Sequence, residues 1–180
     1  MIVSGTRELS ASRDTVWDVV NSPEEMAKLM PGVESFELVD DRHWTAKVKV
    51  PLGLGGLKMT INFEKLEERP PEFASMRAKG QGVGALMDMT TSFTLNEAGE
   101  GTSMDWEADV KIAGPVGAMG QRVLQPIINQ QVSDVLTALE KRVGEAASST
   151  GGSEQGIHPV SPEAYAADPE DPPHATTNDS

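Results

Sequence analysis

Apolar and polar positions along this chain change their period twice, and the two changes divide it into elements. Residues 1–10 read as a strand, with Ile2 and Val3 at its start and Leu9 near its end. A helical period follows. Ser12 caps a short helix whose apolar side is Val16, Trp17 and Val20, and the helix stops at Asn21-Ser22. A second helix begins at once, with Ser22 as N-cap, Pro23 in the first turn and Glu25 completing a capping box. Met26, Leu29 and Met30 form its apolar side, and Pro31-Gly32 ends it.

From Val33 to Ala113 the period is two. Val33–Val39 is the first strand of this stretch. In HWTAKVKV, Trp44, Ala46, Val48 and Val50 face one way, and Thr45, Lys47 and Lys49 the other. In LKMTINFEKL, Leu57, Met59, Ile61 and Phe63 alternate with Lys58, Thr60, Asn62 and Glu64. The next strand puts Ala74, Met76 and Ala78 opposite Arg77 and Lys79. ALMDMTTSFTL then carries Ala85, Met87, Met89, Thr91, Phe93 and Leu95 on one face. In TSMDWEADVKIA the apolar set is Met104, Trp106, Ala108, Val110 and Ile112. Alternation this clean predicts an antiparallel sheet with one wet face and one covered face. Asp40-Asp41 and residues 96–101 are hairpin turns by composition, PLGLGG (51–56) is a loop, and GQGVG (80–84) is expected as a bulged corner.

The helical period returns at Gly114 and runs to Val143, predicting one helix about 40 Å long. Gly114 caps it, Pro115 takes the first position, and Lys141 and Arg142 suit the carbonyl end of the dipole. Val116, Met119, Val123 and Ile127 form one stripe. Ile128, Val132, Val135, Leu136, Leu139 and Val143 form another. Pro126 lies at the changeover, where a kink is expected. The second half is expected to close the core, and the thin first half (Gly114, Gly117, Ala118, Gly120) to roof a cavity. The element order is β, α, α, six strands and one long helix. The economical fold is α+β: a curved seven-stranded antiparallel sheet wrapped around the C-terminal helix.

Composition adds a boundary. Net charge is −13, and residues 148–180 hold six acidic residues and no Lys or Arg, which leaves −7 for residues 1–147. The expected organisation is a ligand-binding domain over 1–147 and an acidic, Pro/Gly/Ser-rich disordered tail over 148–180. Acidity argues against nucleic acid as a partner. The absence of cysteine excludes disulfides and thiolate chemistry. No apolar run is long enough to span a bilayer and no signal peptide is evident, so the expectation is a cytoplasmic protein.

Candidate chemistry is sparse. The histidines are His43, at a strand start, and His158 and His174 in the tail, and nothing makes them converge on a metal. Asp14 and Asp18 share a helix face, and Asp105, Glu107 and Asp109 form an outward row; both read as solvated. The expectation is therefore no catalytic residue, no metal and no covalent cofactor. Nine methionines are more telling, because Met suits adaptable apolar pockets. Plain core filling is the competing reading. Bulky side chains are too few to fill the space between a curved sheet and a thin helix, so an apolar small-molecule cavity is expected. Its lining would be Trp44 and Val48, Met59 and Ile61, and Met76, Met87 and Met89 from successive strands. Trp106 and, from the helix, Met119, Val123 and Ile127 would complete it. Met30, Leu52 and Leu54 would form the rim, with the leucines free to touch a membrane or partner, and Arg122 and Gln130 are candidate polar anchors.

SASRDTVWDVVNSPEEMAKLMPGVESFE (10–37), WTAKVKV and GTSMDWEADVKIAGPVGAMGQRVL (101–124) together resemble the family of the carbon monoxide dehydrogenase G-subunit. That family lies within the START/Bet v 1-like (SRPBCC) superfamily. The resemblance covers roughly residues 1–145 and implies a helix-grip fold with an internal apolar cavity. It also implies a quinone or other lipid as the bound ligand, and a molybdenum-containing dehydrogenase as partner at the inner face of the membrane. The acidic tail departs from the apolar or amphipathic C-terminal anchor of membrane-recruiting members. The leading expectation is a non-enzymatic carrier or adaptor. The alternatives are a pure interaction protein with a filled core and a cyclase- or hydrolase-type enzyme.

Overall fold

In the computed structural model, residues 1–151 are described. The expectations for the rest of the tail, including His158 and His174, fall outside them. Seven antiparallel strands make one sheet: β1 (Ile2–Leu9), β2 (Val33–Asp40), β3 (His43–Val50), β4 (Leu57–Arg69), β5 (Phe73–Gly82), β6 (Ala85–Ala98) and β7 (Gly101–Ala113). Their order across the sheet is β1-β7-β6-β5-β4-β3-β2, so the first strand returns to pair with the last. Helices α1 (Arg13–Val20) and α2 (Pro23–Leu29) follow β1, and α3 (Gly114–Gly117) and α4 (Gln121–Gly151) follow β7. This is the sheet and C-terminal helix expected from the pattern, in the helix-grip arrangement that the resemblance implies.

Local chemistry sets each short helix. Ser12 Oγ accepts from Thr15 N–H at 3.3 Å, and Ser22 Oγ accepts from Glu25 N–H at 3.3 Å. The capping box at Ser22 is only half made. The Glu25 carboxylate turns away to accept from Arg142 Nε at 2.6 Å and Lys28 Nζ at 3.4 Å. A bulge between Lys65 and Glu67 in β4 turns Lys65 toward α1, where its Nζ donates to the Asn21 carbonyl at 2.9 Å.

Several expectations need correction. The glycine-rich 80–84 segment is no bulged corner. Gly82 pairs with Ala85 across a tight Val83-Gly84 turn, with Gly84 at φ +76°. The long helix is two helices, because Gly120 adopts φ +82° and breaks the run between α3 and α4. Gly117 lets α3 lie against β7, since a Cβ there would stand 2.2 Å from the Ile112 carbonyl oxygen. Pro126 lies inside α4 on its exposed side, and the chain breaks at Gly120, six residues earlier than the expected kink. Helix α4 also outlasts Val143. Ser148 and Ser149 donate to the carbonyls of Gly144 and Glu145 at 3.0 Å, so the helix takes in the first residues assigned to the tail. Arg142 is consequently not in a last turn, and its partner is Glu25 instead of a helix end.

Two kinds of packing lie under α4. At its C-terminal half, Leu139 and Val143 join Leu9, Val16, Trp17, Val20 and Leu95 in a dense core. Toward its N-terminus the strands carry a second cluster around Trp44, Met59, Ile61 and Phe63, where Trp44 and Phe63 stack at 5.3 Å.

Candidate functional site

Between the concave face of the sheet and α4 lies a cavity of about 340 Å³. Its sheet wall follows from the alternation: Trp44 from β3, Met59 and Ile61 from β4, Met76 from β5, Met87 and Met89 from β6, and Trp106 from β7. Two glycines make room for the large side chains. A Cβ at Gly80 would stand 2.8 Å from the Met59 methyl and 3.2 Å from that of Met87. A Cβ at Gly5, across from Trp106 in the register, would stand 3.0 Å from its indole ring. The methionines and tryptophan thus occupy space that β1 and β5 vacate.

Helix α4 closes the other side with Leu124, Ile127, Ile128, Gln131, Val132, Val135, Leu136 and Leu139. These positions repeat at three and four residues, one continuous helical face. The expected helix stripe is therefore only partly right. Ile127 lines the cavity, but Met119 and Val123 are 46% and 42% exposed and lie outside it. Met119 falls in the break between α3 and α4, and Val123 lies in the exposed first turn of α4, ahead of Leu124 where the lining begins. The cavity roof is mainly Leu124 to Leu139 of α4, with Val116 alone reaching it from the glycine-rich segment, and its polar contribution is Gln131. Arg122 and Gln130 point outward, and Gln130 Nε2 donates to Asp134 at 2.8 Å.

Val48 is also corrected. It is buried, but it packs into the β3–β4 cluster beside its register partners Val33 and Met59 without reaching the cavity. Of the expected rim, Met30 and Leu52 line the cavity, joined by Pro31 and Leu57, whereas Leu54 is fully exposed at the tip of its loop. Sequence reasoning missed Phe93, Ile112 and Val116 as lining, although the first two alternate inward in their strands.

Among the described residues the lining side chains are hydrophobic except Thr91 and Gln131, Trp44 and Trp106 carry an indole N–H each, and none is ionisable. The charged groups with altered acidity lie elsewhere. On the outer face of the sheet, Arg77 Nε donates to Asp88 at 2.9 Å and holds that carboxyl below its usual range. At the β2–β3 turn, the Arg42 backbone N–H, and then the His43 ring, do the same for Asp40. Glu25 is lowered by its bond from Arg142, against burial that pushes it up.

A model of the CoxG family, described as the G-subunit of carbon monoxide dehydrogenase, matches residues 5–144. No curated protein matches the chain. Among solved structures, a conserved protein from Geobacillus kaustophilus is similar at a TM-score of 0.76 and 21% identity, covering 81% of this chain and 97% of that one. A START superfamily protein from Mycobacterium smegmatis is similar at 0.60 and 19% identity, covering 80% and 97%. The Zhui aromatase/cyclase of Streptomyces sp. R1128 is similar at 0.60 and 18% identity, covering 81% and 93%. At these identities the likeness carries the fold alone.

Proposed function

Since the chain belongs to the CoxG family of carbon monoxide dehydrogenase, we propose that it is a non-catalytic carrier. It holds a neutral apolar molecule, a quinone or another lipid, under α4 and serves a molybdenum-containing dehydrogenase. The observation that carries this reading is the cavity of about 340 Å³ whose wall, among the described residues, is hydrophobic apart from Thr91 and Gln131 and holds no ionisable group. Such a wall favours binding by burial of apolar surface and offers no acid or base for a cyclase-type reaction. The open space favours this reading over a pure interaction protein, for which a filled core is the expectation. Trp44 and Trp106 stand in the wall, so titration with a short-chain quinone should change tryptophan fluorescence saturably. A signal unaffected by quinone would overturn the carrier reading.

The membrane part of the proposal rests on one end of the sheet. Val50 pairs with Leu57, Gly82 with Ala85, and Leu86 with Ala113, so the 51–56 loop, the Val83-Gly84 turn and the β7–α3 junction lie together. Leu54, Val83, Met119 and Val123 are exposed there. Lys47, Lys49, Lys58, Lys79, Lys111 and Arg122 are exposed on the adjoining strands and the start of α4, with Asp88 the register partner of both Lys79 and Lys111. Glu34 and Asp109 approach Lys58 and Lys111 only to 3.9 Å. Apolar tips beside strands that carry exposed lysines suit an anionic bilayer. The cavity reaches this same end through Leu52, Leu57 and Val116. No helix among the described residues is long and apolar enough to cross a membrane, so contact by loop tips fits a peripheral mode.

A further inference from the structure

Two polar side chains interrupt the cavity wall, and the register brings their surroundings together. Thr91 lies on β6 between Met76 on β5 and Ala108 on β7. Ile128 and Val132 of α4 pack on the cluster that contains Ala108 and Val110, which sets the intervening Gln131 over the same part of the sheet. The Thr91 hydroxyl oxygen is buried and has no hydrogen-bond partner among the described residues. The fully buried Thr102 is treated differently: its Oγ1 donates to the Ala11 carbonyl at 2.8 Å. A valine would fill the Thr91 position without leaving a buried hydroxyl unpaired, which is costly.

Accepting the carrier reading, we propose that Thr91 and Gln131 form a polar subsite that selects an uncharged ligand bearing a carbonyl or hydroxyl oxygen. Gln131 donates from its amide nitrogen, and the Thr91 hydroxyl, turned about χ1, donates to the same polar end of the ligand. The remainder of the wall takes the hydrocarbon part. A carboxylate is rejected because, among the described residues, no Lys, Arg or His lines the cavity to balance its charge. The ligand class is thus neutral and oxygen-bearing, distinct from fatty acids on one side and plain hydrocarbons on the other.

Three probes of one ring size separate these classes: 2-methyl-1,4-naphthoquinone, 2-methylnaphthalene and 2-naphthoate, each titrated by calorimetry. Wild type should bind the quinone about tenfold more tightly than the hydrocarbon, and the carboxylate most weakly. Thr91→Val and Gln131→Leu should reduce the quinone preference without weakening hydrocarbon binding, since each makes the wall more apolar. Thr91→Ser should keep it, and Thr91→Val should melt no lower than wild type. Hydrocarbon binding without a quinone preference, a preference that survives both substitutions, or tightest binding of the carboxylate would overturn the subsite alone. Failure of all three probes to bind would overturn the carrier reading, and the subsite with it.

Discussion

Glu25 on α2 and Arg142 on α4 meet at 2.6 Å across 117 residues of sequence. The contact ties the helix that carries Met26 to the helix that roofs the cavity. The hydrogen bond from Arg142 lowers the Glu25 pKa below its value in the unfolded chain. The stability it contributes is therefore present above the unfolded pKa and lost as pH falls through the folded one. Thermal melts of wild type and Glu25→Gln should differ at pH 7 and converge as pH falls below the lowered Glu25 pKa. A difference that does not shrink anywhere in the acid range would mean that the contact acts through packing alone.

Helix α4 does two jobs, and truncation should separate them. Val143 is fully buried in the dense core, so Val143→Ala should cost roughly 2 kcal/mol. Val132 already borders empty space, so Val132→Ala should cost about half as much. Chemical denaturation checks both. Equal losses would contradict the division into core and roof.

The break ahead of α4 rests on glycine. Gly117→Ala would put a methyl carbon 2.2 Å from the Ile112 carbonyl oxygen, and a loss of about 2 kcal/mol or more is expected. Ala118→Ser, on the exposed neighbouring position, should be close to neutral. Similar melting temperatures for the two variants would show that α3 is not seated on β7 as described.

The strand side of the cavity was legible because a sheet covered on one face imposes a period of two, and each wall residue can be counted along its strand. Seven of the eight strand residues chosen for the lining reach it, and Val48 fails only because cross-strand neighbours cover it. The helix side was less legible. A positive φ at Gly120 is not written in any periodicity, and it leaves Met119 between two helices and Val123 in an exposed first turn. Counting afresh after Gly120 would have found the three-and-four spacing from Leu124 to Leu139. The bond between Glu25 and Arg142 was hidden for a different reason: each residue had a sufficient local role, in a capping box and at a helix end.

The apolar, basic end makes its own claim. Leu54→Asp with Val83→Asp should reduce co-sedimentation with phosphatidylglycerol vesicles without lowering the melting temperature, since both side chains are exposed. Binding should also weaken as salt rises. Undiminished vesicle binding by the double variant would move the membrane contact elsewhere.

Filling the cavity should abolish uptake. Ala108 lines it beside Thr91, and Ala108→Phe projects a ring into the space beneath α4. Quinone binding should fall at least tenfold, whereas Met119→Ala and Val123→Ala, on the exposed side, should bind as wild type does. The reverse pattern would restore the roof to the glycine-rich segment.

The central claim is that the space under α4 holds a neutral apolar molecule. Native mass spectrometry of the purified full-length chain, followed by solvent extraction and identification of what is released, tests it most directly. The account predicts a mass above that of the bare chain and release of an uncharged, oxygen-bearing lipid or quinone. A bare mass that stays unchanged after incubation with quinone would contradict it.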